Sequence, residues 1–238
     1  MDSTTDSALD NWFEGPLGVR VLREDAALAT LALDTVFGFE LLQVGAWGPA
    51  RHLLSGARTQ HTTLLAPELS AGVTLCAPLD TLPFRSDSID AILLPHTLEL
   101  VEDPYAVLRE AERVLTGEGC LMICGFNPFS GWGARRLFGR YIGRPAFPPH
   151  TQRMLSERRL RDWVALLGFD VDSVHGYLGF LPMKGGISEV HPRRALTAGA
   201  YLLKARKRVP TLTLIRPRRR VRQRVLVGAA EPTNKVRP

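Results

Sequence analysis

The chain has 238 residues, 45% of them hydrophobic, which is enough for one domain with a sizeable core. No apolar run approaches the roughly 20 residues of a membrane span, and the polar, acidic N-terminus lacks the features of a secretory signal. Three cysteines without a framework spacing predict reduced thiols and a cytoplasmic protein. Cys120 and Cys124 can share a strand face, but no further soft ligand lies nearby, so no metal site is predicted.

The net charge of +6 combines two parts of opposite sign. From Lys204 onward there are twelve Lys and Arg residues against one acid, whereas the preceding residues hold 18 basic and 23 acidic side chains. The hydrophobic pattern also ends near Pro210. We therefore predict a loose N-terminal segment (1–18), a folded domain (19–211) and a basic, disordered tail (212–238). A solvated tail is favoured over an arm that contacts nucleic acid phosphates.

The predicted elements alternate between strands and helices along the chain. Strands are predicted at 39–44, 62–66, 73–77, 89–94, 121–124, 169–177 and 196–205. Helices are predicted at 19–37, ending at Gly38, at 49–54, after an Asp103 cap with Pro104 in the first turn, at 132–138, and from a Ser156 cap to 167. Apolar strands joined by helices pack as parallel strands with both sheet faces covered, so the chain is predicted to be an α/β protein.

The segment from Leu79 to Gly125 is the most informative part of the chain. It contains Leu82-Pro83-Phe84, Ser88-Ile89-Asp90, Leu98-Glu99, Arg113-Val114-Leu115 and the turn Gly117–Gly119. In order and spacing this segment resembles the middle of the class I S-adenosylmethionine-dependent methyltransferases of the type 11 group. The resemblance extends more weakly over residues 39–206. It implies a Rossmann-like fold with a seven-stranded, mostly parallel sheet, an antiparallel last strand and helices on both faces.

The resemblance also implies S-adenosylmethionine as cofactor, bound where the strand order of an open sheet reverses. The loop after the first strand resembles the family's first motif, with Gly45 at the first motif glycine, Trp47 at the second, and Gly48 one position late. Gln43 stands where family members carry Glu or Asp. After the second strand, Glu68 is the sole acid to hold the ribose. The acid beside adenine falls at Pro78, with Asp80 two residues on. The implied cofactor contacts are Gln43, Gly45, Ala46, Trp47, Gly48, Glu68 and Asp80.

Three features could serve the chemistry. His96 follows the fourth strand, and an ordinary histidine pKa suits a general base, although such a residue also commonly hydrogen-bonds a loop carbonyl. Asn127-Pro128-Phe129-Ser130 is interpreted as a loop beside the acceptor pocket; a plain turn and the amine-holding motif of some methyltransferases are the alternatives. A set of aromatic and proline side chains could form a lid over the acceptor or reflect ordinary packing of the insertion 126–149: Trp47, Trp132, Phe138, Phe147, Pro145, Pro148 and Pro149.

The function implied is methyl transfer from S-adenosylmethionine to an acceptor, expected to be a small molecule. The alternative is a non-catalytic or regulatory protein of the same fold with weakened or lost cofactor binding. The departures at Gln43 and Pro78 and the missing acid at the end of the second strand are consistent with it. A nicotinamide-dependent dehydrogenase is disfavoured because Gly48 is followed by Pro49-Ala50-Arg51 and not by the spaced glycines of that fingerprint. The sequence does not name the acceptor or the oligomeric state.

Overall fold

The computed structural model describes residues 11–49, 51–141, 153–178 and 198–209. Its seven-stranded sheet has the order β3-β2-β1-β4-β5-β7-β6, and β7 runs antiparallel to both neighbours. The strands are β1 (Glu40–Val44), β2 (His61–Ala66), β3 (Leu75–Cys76), β4 (Ile89–Pro95), β5 (Leu115–Phe126), β6 (Phe169–Tyr177) and β7 (Ala200–Lys207). The predicted α/β fold with an antiparallel last strand is confirmed.

Five helices whose bounds lie within the described part of the chain connect and cover these strands. They are α1 (Pro16–Leu33), α2 (Thr97–Leu100), α3 (Pro104–Val114), α4 (Gly131–Tyr141) and α5 (Glu157–Leu166), with a 3-10 turn at His52–Leu54. The predicted caps are present: Asp103 accepts the N–H groups of Tyr105 and Ala106, and Ser156 accepts that of Arg159. No described helix is both long and apolar enough to cross a membrane.

The first helix differs from its prediction at both ends. It begins at Pro16, and Phe13 before it is buried against Trp47, so the packed part of the chain begins before residue 19. The helix ends at Leu33, and Gly38 does not terminate it. A Cβ at Gly38 would lie 2.6 Å from the Cβ of Asp90. That glycine instead gives Asp90 room to accept the backbone N–H groups that open β1.

The fifth strand begins at Leu115, earlier than predicted, because a β-bulge interrupts the regular strand pattern in its first half. Leu115 pairs with Ile89, and the register then shifts so that Cys120 pairs with Ala91. The extra residues include Glu118, whose φ of 65° lies in the left-handed region. The Gly117–Gly119 sequence therefore bends a continuing strand and is not a turn before it.

Alternating residues of the central strands form two apolar layers, one on each face of the sheet. Leu42, Ile92 and Ile123 belong to the layer that α3 and α5 cover, and Leu41 and Leu93 belong to the layer beneath α1. Cys120 and Cys124 share this second layer, and burial raises the pKa of the Cys120 thiol to about 11. No metal-binding group of three or more His, Cys, Asp or Glu side chains occurs among the described residues.

The predicted tail 212–238 and the first ten residues lie outside the described part of the chain. So do residues 142–149 of the insertion, which include Phe147 and the three prolines of the predicted lid, and residues 150–152 after it. The disorder of the tail and its contact with nucleic acid therefore remain predictions. The cytoplasmic location also remains a prediction.

Candidate cofactor site

A cavity of about 200 Å³ lies at the carboxyl ends of β1, β2 and β4. The strand order reverses between β1 and β4, which is where ligands bind in open α/β sheets. Its lining includes Gly45, Ala46 and Gly48 after β1, Glu68 after β2, and Pro95 and Thr97 at the end of β4. The structure thus brings together four of the seven residues for which the sequence predicts cofactor contacts.

The loop after β1 has a backbone that favours glycine at two positions. Gly45 has φ of +95° and Gly48 has φ of +70°, both in the left-handed region. A Cβ at Gly45 would lie 2.6 Å from the hydroxyl oxygen of Thr97. That hydroxyl donates to the carbonyl of Val44, and the N–H of Gly45 donates to the carbonyl of Leu65. The loop is therefore fastened to the ends of both neighbouring strands.

Gln43 supports this loop from below. Its side chain is 2% exposed, and its Nε2 donates to the carbonyl of Gly45 over 3.0 Å. Its Oε1 is buried and has no hydrogen-bond donor among the described residues. A carboxylate at this position would set a second acceptor against the Gly45 carbonyl. The Gln43 amide stabilises the loop because it can donate a hydrogen bond to the Gly45 carbonyl. An ionised acid at this position has no hydrogen to donate, so it could hold the loop only if a ligand supplied a donor.

The remaining predicted contacts lie elsewhere. The Trp47 side chain is 1% exposed and points into the core, and Asp80 is exposed while its neighbour Leu79 lines the cavity. Trp132 is fully buried as well. The idea that Trp47 and Trp132 form part of a lid is therefore wrong, because both pack as core side chains.

His96 lies directly behind the cavity wall, between the lining residues Pro95 and Thr97. It is fully buried and has φ of 52°. Its Nδ1 is 3.0 Å from Glu99 Oε2, and its Nε2 is 3.5 Å from Asp25 Oδ2. The ring also contacts those of Trp47 and Phe126, at centroid distances of 4.4 and 4.1 Å. Both ring nitrogens thus have carboxylate partners, and the imidazole does not line the cavity.

The two carboxylates decide the ionisation of His96. Burial alone would lower its pKa, but Asp25 and Glu99 outweigh that effect and raise the pKa to about 9. Burial raises the pKa of Glu99, against the opposing effect of His96. At neutral pH the imidazole is therefore a buried cation between two acids. This charge favours a structural role, because a protonated imidazole cannot accept a proton; the general-base role stays a prediction.

Sequence reasoning missed Asp25, which is fully buried on α1. Its carboxylate accepts the indole N–H of Trp47 over 2.9 Å and the hydroxyl of Tyr177. The available signal was its position, four residues after Val21 and four before Ala29, on the apolar stripe of the helix. A carboxylate on such a stripe predicts a buried partner.

Asn127 holds two loops together at the end of β5. Its Nδ2 donates to the carbonyl of Ala198 over 3.0 Å, and its Oδ1 accepts the N–H of Phe129. Its side-chain amide therefore bonds to the backbone before β7 and within its own turn, which argues against the amine-holding alternative. Phe129 is 74% exposed on this loop.

The residues at the cavity fit S-adenosylmethionine, although the chain departs from the family pattern at Gln43, Trp47 and Pro78. Gly45 and Gly48 place backbone on the cavity wall, and the Glu68 carboxylate on the same lining can accept from hydroxyl groups. The neutral Gln43 does not itself line the cavity, and its buried Oε1 has no hydrogen-bond donor among the described residues.

Comparison with known proteins agrees with this geometry. The family model described as a methyltransferase domain, of the type 11 group, matches residues 50–123, beginning just after the altered first motif. The chain is 34% identical over 179 residues to the uncharacterized protein YafS of Escherichia coli, covering 75% of this chain and 72% of YafS.

Two further matches have described activities. A demethylmenaquinone methyltransferase of Mycolicibacterium paratuberculosis is 32% identical over 142 residues, which covers 60% of this chain and 55% of that protein. An S-adenosylmethionine-dependent methyltransferase structure from Thermotoga maritima superposes with a TM-score of 0.58 at 20% identity, covering 79% of this chain and 89% of the other. With the sheet order and the position of the cavity, these matches show that the chain belongs to the type 11 group of class I S-adenosylmethionine-dependent methyltransferases.

Proposed function

We propose that the protein transfers a methyl group from S-adenosylmethionine to a small-molecule acceptor. The observation that supports this best is the cavity at the reversal of strand order, with Gly45 and Gly48 of the first-motif loop on its wall. The same wall contains Glu68 after β2, where the family holds the ribose.

The cofactor, when bound, supplies an electrophilic methyl group on a sulfonium. Displacement at such a carbon depends mainly on holding the acceptor in line, so the chain's task is positioning more than proton transfer. Gly45 and Gly48 present their backbone on the cavity wall, and the Glu68 carboxylate would accept hydrogen bonds from the ribose hydroxyls. Thr97 keeps the β1 loop against the end of β4 through its bond to Val44.

A small-molecule acceptor is supported by the relative from Mycolicibacterium paratuberculosis, whose name identifies demethylmenaquinone as its substrate. From this relative we infer only that the acceptor of the present protein is a small molecule, and we do not infer its identity. The acceptor would approach beyond the ends of β4 and β5, next to the cofactor cavity.

Calorimetric titration with S-adenosylmethionine and S-adenosylhomocysteine tests the proposal. We expect both to bind the wild-type chain, and Glu68→Gln to weaken binding by about tenfold, or 1.4 kcal/mol, because the amide loses the charged acceptor. Glu102→Gln is the control, since Glu102 is exposed and does not line the cavity. A folded wild-type chain that binds neither compound would refute the proposal.

The neutral Gln43 favours a second candidate, a regulatory protein of this fold that binds the cofactor weakly or not at all. The discriminating measurement is transfer of labelled methyl from S-adenosylmethionine into small molecules of a cell extract. Label that appears only when the protein is present supports the enzyme, and cofactor binding without transfer supports the regulatory candidate.

A further inference from the structure

The unusual tryptophan of the first-motif loop is held by a charged cluster in the protein interior. Trp47 stands where the family has a glycine, but its ring lies away from the cavity that its neighbours Ala46 and Gly48 line. The ring packs edge-on against Phe13 at 4.6 Å and lies 4.4 Å from His96. A large side chain is therefore accommodated without filling the cavity.

The polar end of the indole bonds to a buried carboxylate. Trp47 Nε1 donates to Asp25 Oδ2 over 2.9 Å, and Asp25 is fully buried. A buried carboxylate is costly unless it is paired, and the His96 cation at 3.5 Å together with the hydroxyl of Tyr177 supplies the pairing. Removing any member would leave another polar group buried without its partner.

The cluster also connects the two walls of the cavity. Trp47 belongs to the loop after β1, and His96 lies between Pro95 and Thr97 at the end of β4. Asp25 on α1 contacts both, so the separation of the two walls depends on its carboxylate. The other groups that act on the charges of this cluster are Glu99, Arg136 of α4, Cys124 of β5 and Tyr177 of β6.

We propose that Asp25 and Trp47 are positioning residues for cofactor binding: they brace the Gly45–Gly48 loop from the interior and set its distance from the end of β4. The inference rests on the proposed function, because the ligand whose binding the brace supports is S-adenosylmethionine. The proposal gives two features outside the family's motif a role in cofactor binding: the helix α1, through Asp25, and the Trp47 side chain at the position of the second motif glycine.

The test compares Trp47→Phe with Trp132→Phe. Both substitutions shorten a fully buried tryptophan in the same apolar layer, but only the first removes the N–H that Asp25 accepts. Thermal melting, calorimetry with S-adenosylmethionine and amide hydrogen exchange of residues 44–48 are measured on each. Asp25→Asn is the second variant, which keeps an acceptor for one donor while removing the charge beside His96.

We expect Trp47→Phe and Asp25→Asn to bind S-adenosylmethionine at least about fivefold more weakly and to exchange the loop amides about tenfold faster than wild type. Trp132→Phe should show a similar loss of melting temperature with affinity within about twofold of wild type. The proposal would be refuted if the Trp47→Phe and Asp25→Asn variants fold and match Trp132→Phe both in affinity for S-adenosylmethionine and in amide exchange of residues 44–48. If wild type binds no S-adenosylmethionine, the proposed function fails, while the exchange comparison still decides whether the cluster holds the loop.

Discussion

Replacing His96 with asparagine should remove most of a pH dependence that the buried cluster gives to stability. The folded chain raises the pKa of His96 from 6.5 to about 9. Between these values the folded state binds a proton that the unfolded state has released, so the free energy of unfolding falls as the pH rises. The stabilisation is complete below pH 6.5, and its loss by pH 9 amounts to about 3 kcal/mol.

The assay is urea unfolding between pH 6.5 and about pH 7.5, because at higher pH the thiols of the unfolded chain begin to ionise and buried thiols add their own pH dependence. Asparagine tolerates the left-handed backbone conformation of His96. The substitution His96→Asn therefore removes the charge of the imidazole with little strain on the backbone turn. We expect this variant to be less stable than wild type at pH 6.5 and to lose less stability toward the alkaline end. His61→Asn, at an exposed histidine, should retain the wild-type dependence.

Burial also raises the pKa of Glu99, which acts in the same direction, so a direct titration is needed to separate the two groups. The NMR signal of the His96 ring, assigned by its absence in His96→Asn, should titrate near pH 9. A midpoint at or below 6.5, or a wild-type stability that is flat across this range, would refute the reasoning.

Three further changes test the loop and its surroundings. Gly45→Ala should lower the free energy of unfolding in urea by at least about 2 kcal/mol, because the new Cβ meets both a positive φ and a clash with Thr97. Gly168 also has a positive φ but has open space around it, so Gly168→Ala should cost only about 1 kcal/mol. Gln43→Glu should lower the melting temperature by burying a carboxylate beside the Gly45 carbonyl, and saturating S-adenosylmethionine should recover part of the loss; an unchanged melting temperature would contradict the contact. Asp103→Ala should cost about 1 kcal/mol in the same unfolding assay through the lost cap of α3, without altering cofactor affinity.

The fold could be predicted because its signals are local. Apolar alternation within each strand and the motifs between Leu79 and Gly125 fix the element types and their order. Element boundaries were less accurate where the backbone departs from a regular pattern. The Gly117–Gly119 segment has the composition of a turn, and pairing of Leu115 with Ile89 across the sheet keeps it within a strand.

The residues that line the candidate site could be predicted from the sequence only where they directly follow the ends of strands. Gly45, Gly48 and Glu68 follow neighbouring parallel strands, so the topology alone brings them to one edge of the sheet. Asp25 could not be found this way. Its partners Trp47 and Tyr177 come from other elements, and their pairing depends on how α1 packs on the sheet.

The two departures from the family motif have a common physical explanation in this chain. Gln43 replaces an acid and donates to the Gly45 carbonyl; Trp47 replaces a glycine and bonds to Asp25. Each substituted side chain holds the loop from the protein side. A loop held in this way loses less conformational freedom when a ligand binds, which offsets part of the attraction lost with the acidic side chain. The altered motif therefore indicates a different way of ordering the cofactor loop, and by itself it does not indicate loss of the cofactor.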